Sequence, residues 1–474
     1  MKTFNPITIS CFKAYDVRGE LDVNLDSVIV YRIGRAFAQY LNHGQKNHGQ
    51  KNSVIVVGAD IRSSSNSLKQ SVIDGITDAG VDVIDLGMVG TEEVYFATSH
   101  YNAIGGIEVT ASHNPINYNG LKMVRENSRP ISADTGLADI RTIAERGEFV
   151  VADKGRVTLN TDKTAYIDKL ISFIDTSKFR PKKIVVNSGN GSAGPVVDEL
   201  ERRLGDDIEL IKVHHTPDGS FPNGIPNPMI VANQQATSDA VIAHKADFGM
   251  AFDGDFDRCF LFDENGRFIE GSYIVGMLAE VFLKQHQGKG IVYDPRVIYN
   301  TEYVIAQNGG QPIISKSGHS FIKQVMRETG AIYGGEMSAH HYFKDFFYCD
   351  SGMIVWLLVI ELLSVTGKTL SNLVNAYIHN FPSSGELNFR LGQKSAREIG
   401  EHLEQKYSSS NPIKNTLDGL SLDFGSWRFN LRSSNTEPLI RLNIETKGDK
   451  ALLQSKIDEI LAILAACGAM SADH

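Results

Sequence analysis

Gly105-Gly106-Ile107-Glu108-Val109-Thr110-Ala111-Ser112-His113-Asn114-Pro115 is the stretch on which the reading of this chain turns. Its first half is a short apolar run opened by glycines, the pattern of a buried strand. Its second half is a polar loop at the end of that strand, where a rigid sheet holds reacting groups. Pro115 ends regular pairing and biases Asn114 toward extended backbone, so Ser112 and His113 are expected to leave the sheet. Alone, the six residues from Thr110 to Pro115 read equally well as an ordinary Ser/Asn/Pro turn. The rest of the chain separates the two readings.

Working outward, the same unit recurs three times. Strand 54–58, a helix over about 65–79 and strand 81–85 lead through another helix to strand 106–109, which delivers Ser112. A second round has strands 183–187, 208–212 and 247–252, and delivers Asp253-Gly254-Asp255-Phe256-Asp257-Arg258. A third has strands 290–294, 311–315 and 331–334, and delivers Gly335-Glu336-Met337-Ser338-Ala339-His340. Strands alternating with helices predict α/β layers. After the linker Asn380-Phe381-Pro382-Ser383-Ser384-Gly385 the texture turns to α+β, with alternating strands 427–431 and 439–444 and a helix over 450–465. The expected fold is therefore three related α/β domains with mixed sheets (1–160, 161–265 and 266–382) and a C-terminal α+β domain (383–474), around a central cleft that the polar loops face.

Size and composition agree with a multidomain enzyme. A chain of 474 residues exceeds what one core usually serves. With 42% apolar and 22% charged residues, it has the balance of a soluble globular enzyme. Its net charge of −9 speaks against nucleic acid or an anionic membrane as partner, so any phosphate must be held by local Arg, Lys and backbone N–H groups. Cys11, Cys259, Cys349 and Cys467 are scattered, which suits buried thiols in a reducing compartment. The first residues lack a signal-peptide core, and the most apolar run, 353–363, is too short for a bilayer and carries Glu361. A cytoplasmic location is expected. The tandem repeat His43-Gly44-Gln45-Lys46-Asn47/His48-Gly49-Gln50-Lys51-Asn52 reads as a tolerated loop insertion and receives no function.

The strongest chemical signal is the acidic loop. Carboxylates at i, i+2 and i+4 of an extended backbone project to one side, so Asp253, Asp255 and Asp257 converge. Three such anions cannot all stay ionised without a cation, and oxygen-only ligands select a hard one such as Mg²⁺. Arg258 stands at the sixth position, where a calcium-binding loop needs glycine. Arg432-Ser433-Ser434-Asn435-Thr436 gathers a guanidinium, hydroxyls, an amide and backbone N–H groups, the makings of a phosphate cradle. Glu336 and Ser338 can accept from and donate to neighbouring sugar hydroxyls, with His340 beside them. His319 reads either as a proton carrier or as a helix-start residue, and Arg18 in Lys13-Ala14-Tyr15-Asp16-Val17-Arg18-Gly19 as a phosphate fork or a surface arginine.

Five motifs in order, Lys13 to Gly19, Thr110 to Pro115 with Asn119-Gly120-Leu121-Lys122, Asp253 to Arg258, Gly335 to His340 and Arg432 to Pro438, give the chain a resemblance to the α-D-phosphohexomutase superfamily nearly end to end. Within it the chain looks most like bacterial phosphomannomutases of GDP-mannose and surface-polysaccharide synthesis. The resemblance implies that Ser112 carries a phosphate and ligates one Mg²⁺ with Asp253, Asp255 and Asp257. It implies proton handling by Lys122 and His319, charge neutralisation by Arg258, and a 1,6-bisphosphosugar as intermediate and activator. Glu336 and Ser338 would hold the 3- and 4-hydroxyls. Tyr15, Arg18, Arg432, Ser433, Asn435 and Thr436 would hold the phosphate that is not reacting, with His113, His340 and Arg296 as further substrate contacts. Met337, where glucosamine enzymes carry Gln, argues against that substrate. Expected partners are a phosphosugar and, at most, a second copy of the chain. The alternatives are a dual glucose/mannose phosphomutase and a Mg²⁺-dependent sugar phosphatase.

Overall fold

The structure, a computed structural model, describes residues 2–44, 53–433 and 439–472. The greater part of the duplicated segment, from residue 45 on, lies outside the described residues, as do Asn435 and Thr436. Two compact units emerge: one of the residues up to Phe268 together with Asp345–Gly367, the other of Ile269–Lys344 and the residues from Lys368 on.

The first unit holds two mixed sheets. In the larger, strands run in the order Val17–Glu20, Tyr118–Arg125, Gly105–Val109, Val54–Ala59, Asp82–Met88, Val157–Leu159. Val54–Ala59 is a β-branched run covered on both faces, and it pairs in parallel with both of its neighbours, as a central strand between helical layers should. Tyr118–Arg125 reverses direction and pairs antiparallel with Gly105–Val109. Beneath the sheet, Phe37 and Leu41 of helix Ser27–Gly44 meet Val72 and Ile76 of helix Ser65–Asp78 and Ile107 of the sheet in one apolar cluster. The second sheet repeats the pattern in the order Ile208–Val213, Lys182–Asn187, Phe248–Phe252, Cys259–Phe262, three parallel strands and an antiparallel return.

The second unit repeats it again: Gln311–Ile314, Gly290–Tyr293 and Tyr333–Gly335 are parallel, and His341–Phe343 returns antiparallel. Its other sheet is antiparallel throughout, in the order Ile413–Asn415, Leu420–Asp423, Trp427–Ser433, Leu439–Thr446, Leu387–Arg390, Met470–Ser471. Helices Ala396–Tyr407 and Lys450–Ala466 cover it through Leu403, Ile460 and Leu464. The fold is thus three α/β domains with mixed sheets followed by a C-terminal α+β domain.

In all three repeats the third parallel strand turns into the antiparallel fourth through the loop that carries the candidate chemistry. These loops hold Ser112, Asp253 to Arg258 and Glu336 to His340. That position, beyond the carboxyl end of a parallel strand, is where open α/β sheets bind ligands.

One segment departs from chain order. Helix Gly352–Thr366 follows the third repeat in sequence yet packs in the first unit. Its N-cap Ser351 bonds Ile354 N at 3.1 Å. Buried Glu92 accepts from Ser351 Oγ (2.9 Å), Tyr166 Oη (2.5 Å) and Met353 N (3.3 Å), tying this helix to two other helices of the unit. Glu361 receives Lys178 Nζ at 3.1 Å, and Ser364 Oγ receives Arg180 N at 3.2 Å. Among the described residues no single helix is long and apolar enough to cross a membrane.

Candidate active site

In the first unit everything converges on Ser112. Its φ of +49° places a non-glycine residue in the left-handed region, a strain that only surrounding contacts can maintain. The backbone is gripped from both sides. Ser112 N donates to Thr110 Oγ1 at 2.8 Å, and Ser112 O accepts from Arg62 Nη2 at 2.8 Å. Arg62 also donates to the carbonyls of Asn114 (2.6 Å), Pro115 (2.9 Å) and Tyr118 (3.2 Å). Gly254 comes so close that a Cβ there would lie 2.5 Å from Ser112 O, so the acidic loop can abut the serine loop only with glycine at this position.

This grip aims Ser112 Oγ at the acidic loop. Oγ donates to Asp253 Oδ2 at 2.7 Å and lies 3.4 Å from Arg258 Nη2. One oxygen from each of Asp253, Asp255 and Asp257 falls within 4.8 Å of the others, all three residues being buried. Two cations offset the cluster. Arg258 gives Nε (2.9 Å) and Nη2 (2.7 Å) to Asp253 Oδ2, and Lys122 Nζ bonds Asp255 Oδ2 at 2.7 Å and also Asp257 Oδ2. Burial alone would pull the Lys122 ammonium down, but Asp255 and Asp257 outweigh it and hold its pKa well above the usual lysine range. Burial and the Arg258 and Arg18 guanidiniums push His113 well below its ordinary value, so its Nδ1 is free to accept from Arg258 Nη2. Arg18 donates to Ala111 O (3.2 Å) and to Asn114 Oδ1, and pairs with Asp16 at 2.7 Å. Tyr15 sits half-buried in the bend just before it.

The second unit carries the other candidate groups. Buried Glu336 accepts from Gly318 N (2.7 Å), Tyr342 Oη (2.5 Å) and Arg296 Nη2 (3.4 Å), with His340 Nδ1 at 3.4 Å. Burial would raise its pKa, yet His340 and Arg296 hold it well below the carboxylate range. Arg296 forks onto Asp294 (2.8 and 3.0 Å) and reaches Ser338 Oγ at 3.2 Å, while Asp294 Oδ2 accepts Met337 N at 2.8 Å. His319 is the first residue of helix His319–Thr329, directly after the Gly318 that serves Glu336. Arg432 Nη2 and Arg441 Nη1 meet on Glu386 at 2.9 and 3.1 Å, with Arg296 Nη1 at 3.8 Å. Ser433 ends strand Trp427–Ser433 and is exposed.

The structure thus brings Ser112, His113, Lys122, the three aspartates, Arg258 and Arg18 together in one unit. In the other it gathers Glu336, Ser338, His340, Arg296, His319 and Arg432. Residues that sequence reading passed over include Arg62 and Asp60, which share the strand end after Val54–Ala59, and Thr91, whose Oγ1 bonds Asp255 Oδ2 at 2.7 Å. Asp294, Glu386 and Arg441 also went unread. Asp60-Ile61-Arg62 follows a parallel strand just as Ser112 does, and that shared position was the signal available.

Fold and sequence together define an enzyme of the phosphohexomutase class, an isomerase that moves phosphate within a sugar. Family models for phosphoglucomutase/phosphomannomutase match in sequence: alpha/beta/alpha domain I over residues 10–151, domain II over 164–266, domain III over 270–381 and the C-terminal domain over 386–463. The chain belongs to the phosphoglucomutase/phosphomannomutase family. It is 54% identical to a phosphomannomutase of Vibrio cholerae over 96% of this chain and 98% of that one. It is 50% identical to a protein named phosphohexose mutases from Xanthomonas campestris, over 97% of this chain and 100% of the other. A solved phosphoglucomutase/phosphomannomutase family protein of Burkholderia thailandensis superposes with a TM-score of 0.86 at 32% identity, covering 98% of this chain and 99% of that one.

Proposed function

We propose that this chain is a phosphomannomutase that interconverts mannose 6-phosphate and mannose 1-phosphate through phosphorylated Ser112 and a 1,6-bisphosphosugar. It works in the cytoplasm, where four free buried cysteines suit a reducing compartment, and supplies mannose 1-phosphate for GDP-mannose and surface-polysaccharide synthesis. The observation that carries the reading is Ser112 itself, strained into left-handed backbone with Oγ 2.7 Å from Asp253 and beside Arg258.

The residues present fit a hard divalent cation, Mg²⁺ in particular. The three aspartates offer oxygen ligands within 4.8 Å, and Asp255 Oδ1 is buried with no hydrogen-bond partner among the described residues, while its Oδ2 takes three donors. Asp253, Asp255, Asp257 and a Ser112-borne phosphate would hold it. Once bound, it supplies neutralisation of the phosphoryl charge.

The chain's own groups account for the rest. The phosphoryl group leaves Ser112 Oγ for the free sugar hydroxyl, and the phosphate at the other end of the bisphosphate later returns to Oγ, so no phosphate is consumed. Arg258 donates toward Oγ and meets the charge that gathers on it as the P–O bond breaks. Lys122 and His319 handle the protons: one takes the proton of the attacking sugar hydroxyl, and the other gives a proton to the sugar oxygen that leaves when phosphate returns to Ser112. Arg18 contributes a phosphate contact in the first unit, with His113 and Tyr15 beside it. In the second, Glu336 and Ser338 take two sugar hydroxyls, oriented by Arg296 and His340. Arg432, with Ser433, Asn435 and Thr436, takes the phosphate that is not reacting.

A dual glucose/mannose activity is the second reading, favoured by the 50% identity to the Xanthomonas protein named for phosphohexoses. The test is kcat/KM for mannose 1-phosphate and glucose 1-phosphate side by side, with Mg²⁺ and a trace of glucose 1,6-bisphosphate. A large preference for mannose is expected; equal rates would establish the dual enzyme.

A further inference from the structure

Glu108 is the one ionisable side chain of the opening stretch that the proposed reaction does not use. It lies on the buried strand Gly105–Val109, only 1% exposed, and neither carboxyl oxygen has a hydrogen-bond partner among the described residues. A buried polar group left this way is costly, and native structures retain few without a reason. Its walls are tight: a Cβ on Gly58 would lie 2.8 Å from Glu108 Oε2, in a space also lined by Val89 and Val94. Of the charged groups that act on it most strongly, Asp60, Asp255 and Glu93 are anions and Lys122 is the cation. Burial and those anions push its pKa well above its ordinary value.

The ladder explains why Lys122 matters. Glu108 and Lys122 stand directly opposite one another in the antiparallel pairing of Gly105–Val109 with Tyr118–Arg125. Directly opposed residues share a face, with Cβ atoms about 5 Å apart, so a lysine stem can reach its partner's carboxyl. In the present state Nζ instead bonds Asp255 and Asp257, two of the carboxylates a divalent cation would need. A cation there and an ammonium on the same oxygens repel strongly at such range.

We propose that Glu108 is a positioning residue for Lys122: its carboxyl receives the ammonium when a divalent cation takes up the Asp255 and Asp257 carboxylates. The inference rests on the cation reading above. It gives the unpartnered acid a purpose and keeps Lys122 oriented within the site instead of displaced from it.

Calorimetric titration of Mn²⁺ into the full unphosphorylated chain tests it, with wild type, Glu108→Gln and Glu108→Met, each with and without Lys122→Met. Glu108→Met should weaken Mn²⁺ binding about tenfold. Glu108→Gln, whose amide oxygen still accepts from the ammonium, should stay close to wild type. In the Lys122→Met background Glu108→Met should change nothing, because the ammonium it serves is gone. An equal loss in both backgrounds, or no loss in either, overturns the proposal. Absence of Mn²⁺ binding by wild type overturns the cation reading together with it, whereas wild-type binding that Glu108→Met leaves unchanged overturns this proposal alone. Should Lys122→Met fail to fold, a crystal structure of the Mn²⁺-loaded wild type decides: Nζ within hydrogen-bond distance of Glu108 supports the transfer, and Nζ still on Asp255 refutes it.

Discussion

Replacing Arg62 with methionine keeps most of the side-chain stem and removes the guanidinium that holds the serine loop. The buried carbonyl of Ser112 and the partly buried one of Asn114, which Arg62 reaches at 2.8 and 2.6 Å, then lose their donor. Each such loss costs about 1–3 kcal/mol if the carbonyl stays buried. The loop can escape that cost by turning away, and doing so also relieves the left-handed strain at Ser112, roughly 1–2 kcal/mol. A net bias of about 2 kcal/mol toward the relaxed loop leaves the active geometry populated about thirtyfold less. We therefore expect kcat for mannose 1-phosphate to fall about thirtyfold in Arg62→Met, with KM changed much less because the proposed sugar contacts belong to other loops. Faster hydrogen exchange over residues 110–118 should accompany the loss, and Arg62→Lys, whose single nitrogen cannot serve four carbonyls, should fall between. A folded Arg62→Met enzyme with kcat within twofold of wild type would refute the reasoning.

Two other outcomes follow from the same geometry. Burial raises the Glu92 carboxyl from 4.5 to about 8, against the pull of Tyr166 and Ser351, so the folded chain binds its proton more tightly than the unfolded chain does. Its contribution to stability is complete below about pH 4.5 and fades as pH rises to about 8; thermal melts from pH 5 to 8 should show a downward slope in wild type that is shallower in Glu92→Gln. Chelation should abolish mutase activity and added Mg²⁺ restore it, since Asp253, Asp255 and Asp257 offer only hard oxygen ligands; full activity after exhaustive chelation would contradict the assigned ligands.

How much could be read beforehand differs from element to element. Strands such as Val54–Ala59, Lys182–Asn187 and Gly290–Tyr293 were plain because a parallel strand covered on both faces is a continuous apolar run. Their antiparallel returns, Tyr118–Arg125 and Cys259–Phe262, were not picked out as strands, because their residues merge with the polar motifs that precede them. Chain order could not tell that helix Gly352–Thr366 would join the first unit, since an apolar helix does not specify which core it enters. At the site, clustered carboxylates and the serine loop announced themselves through spacing. Arg62 did not, because a lone arginine after a strand looks like a surface residue until the fold wraps four carbonyls around it. Glu386 and Arg441 were hidden for a similar reason. Arg432 and Arg441 lie directly opposite in the ladder, and only pairing reveals that a carboxylate must stand between them.

The most direct test of the central claim is peptide mass spectrometry of the purified chain after incubation with glucose 1,6-bisphosphate and Mg²⁺. The account predicts a phosphate on Ser112, its loss to added mannose 1-phosphate, and neither phosphorylation nor turnover in Ser112→Ala. Wild-type turnover with Ser112 unmodified throughout, or full activity in Ser112→Ala, would contradict it.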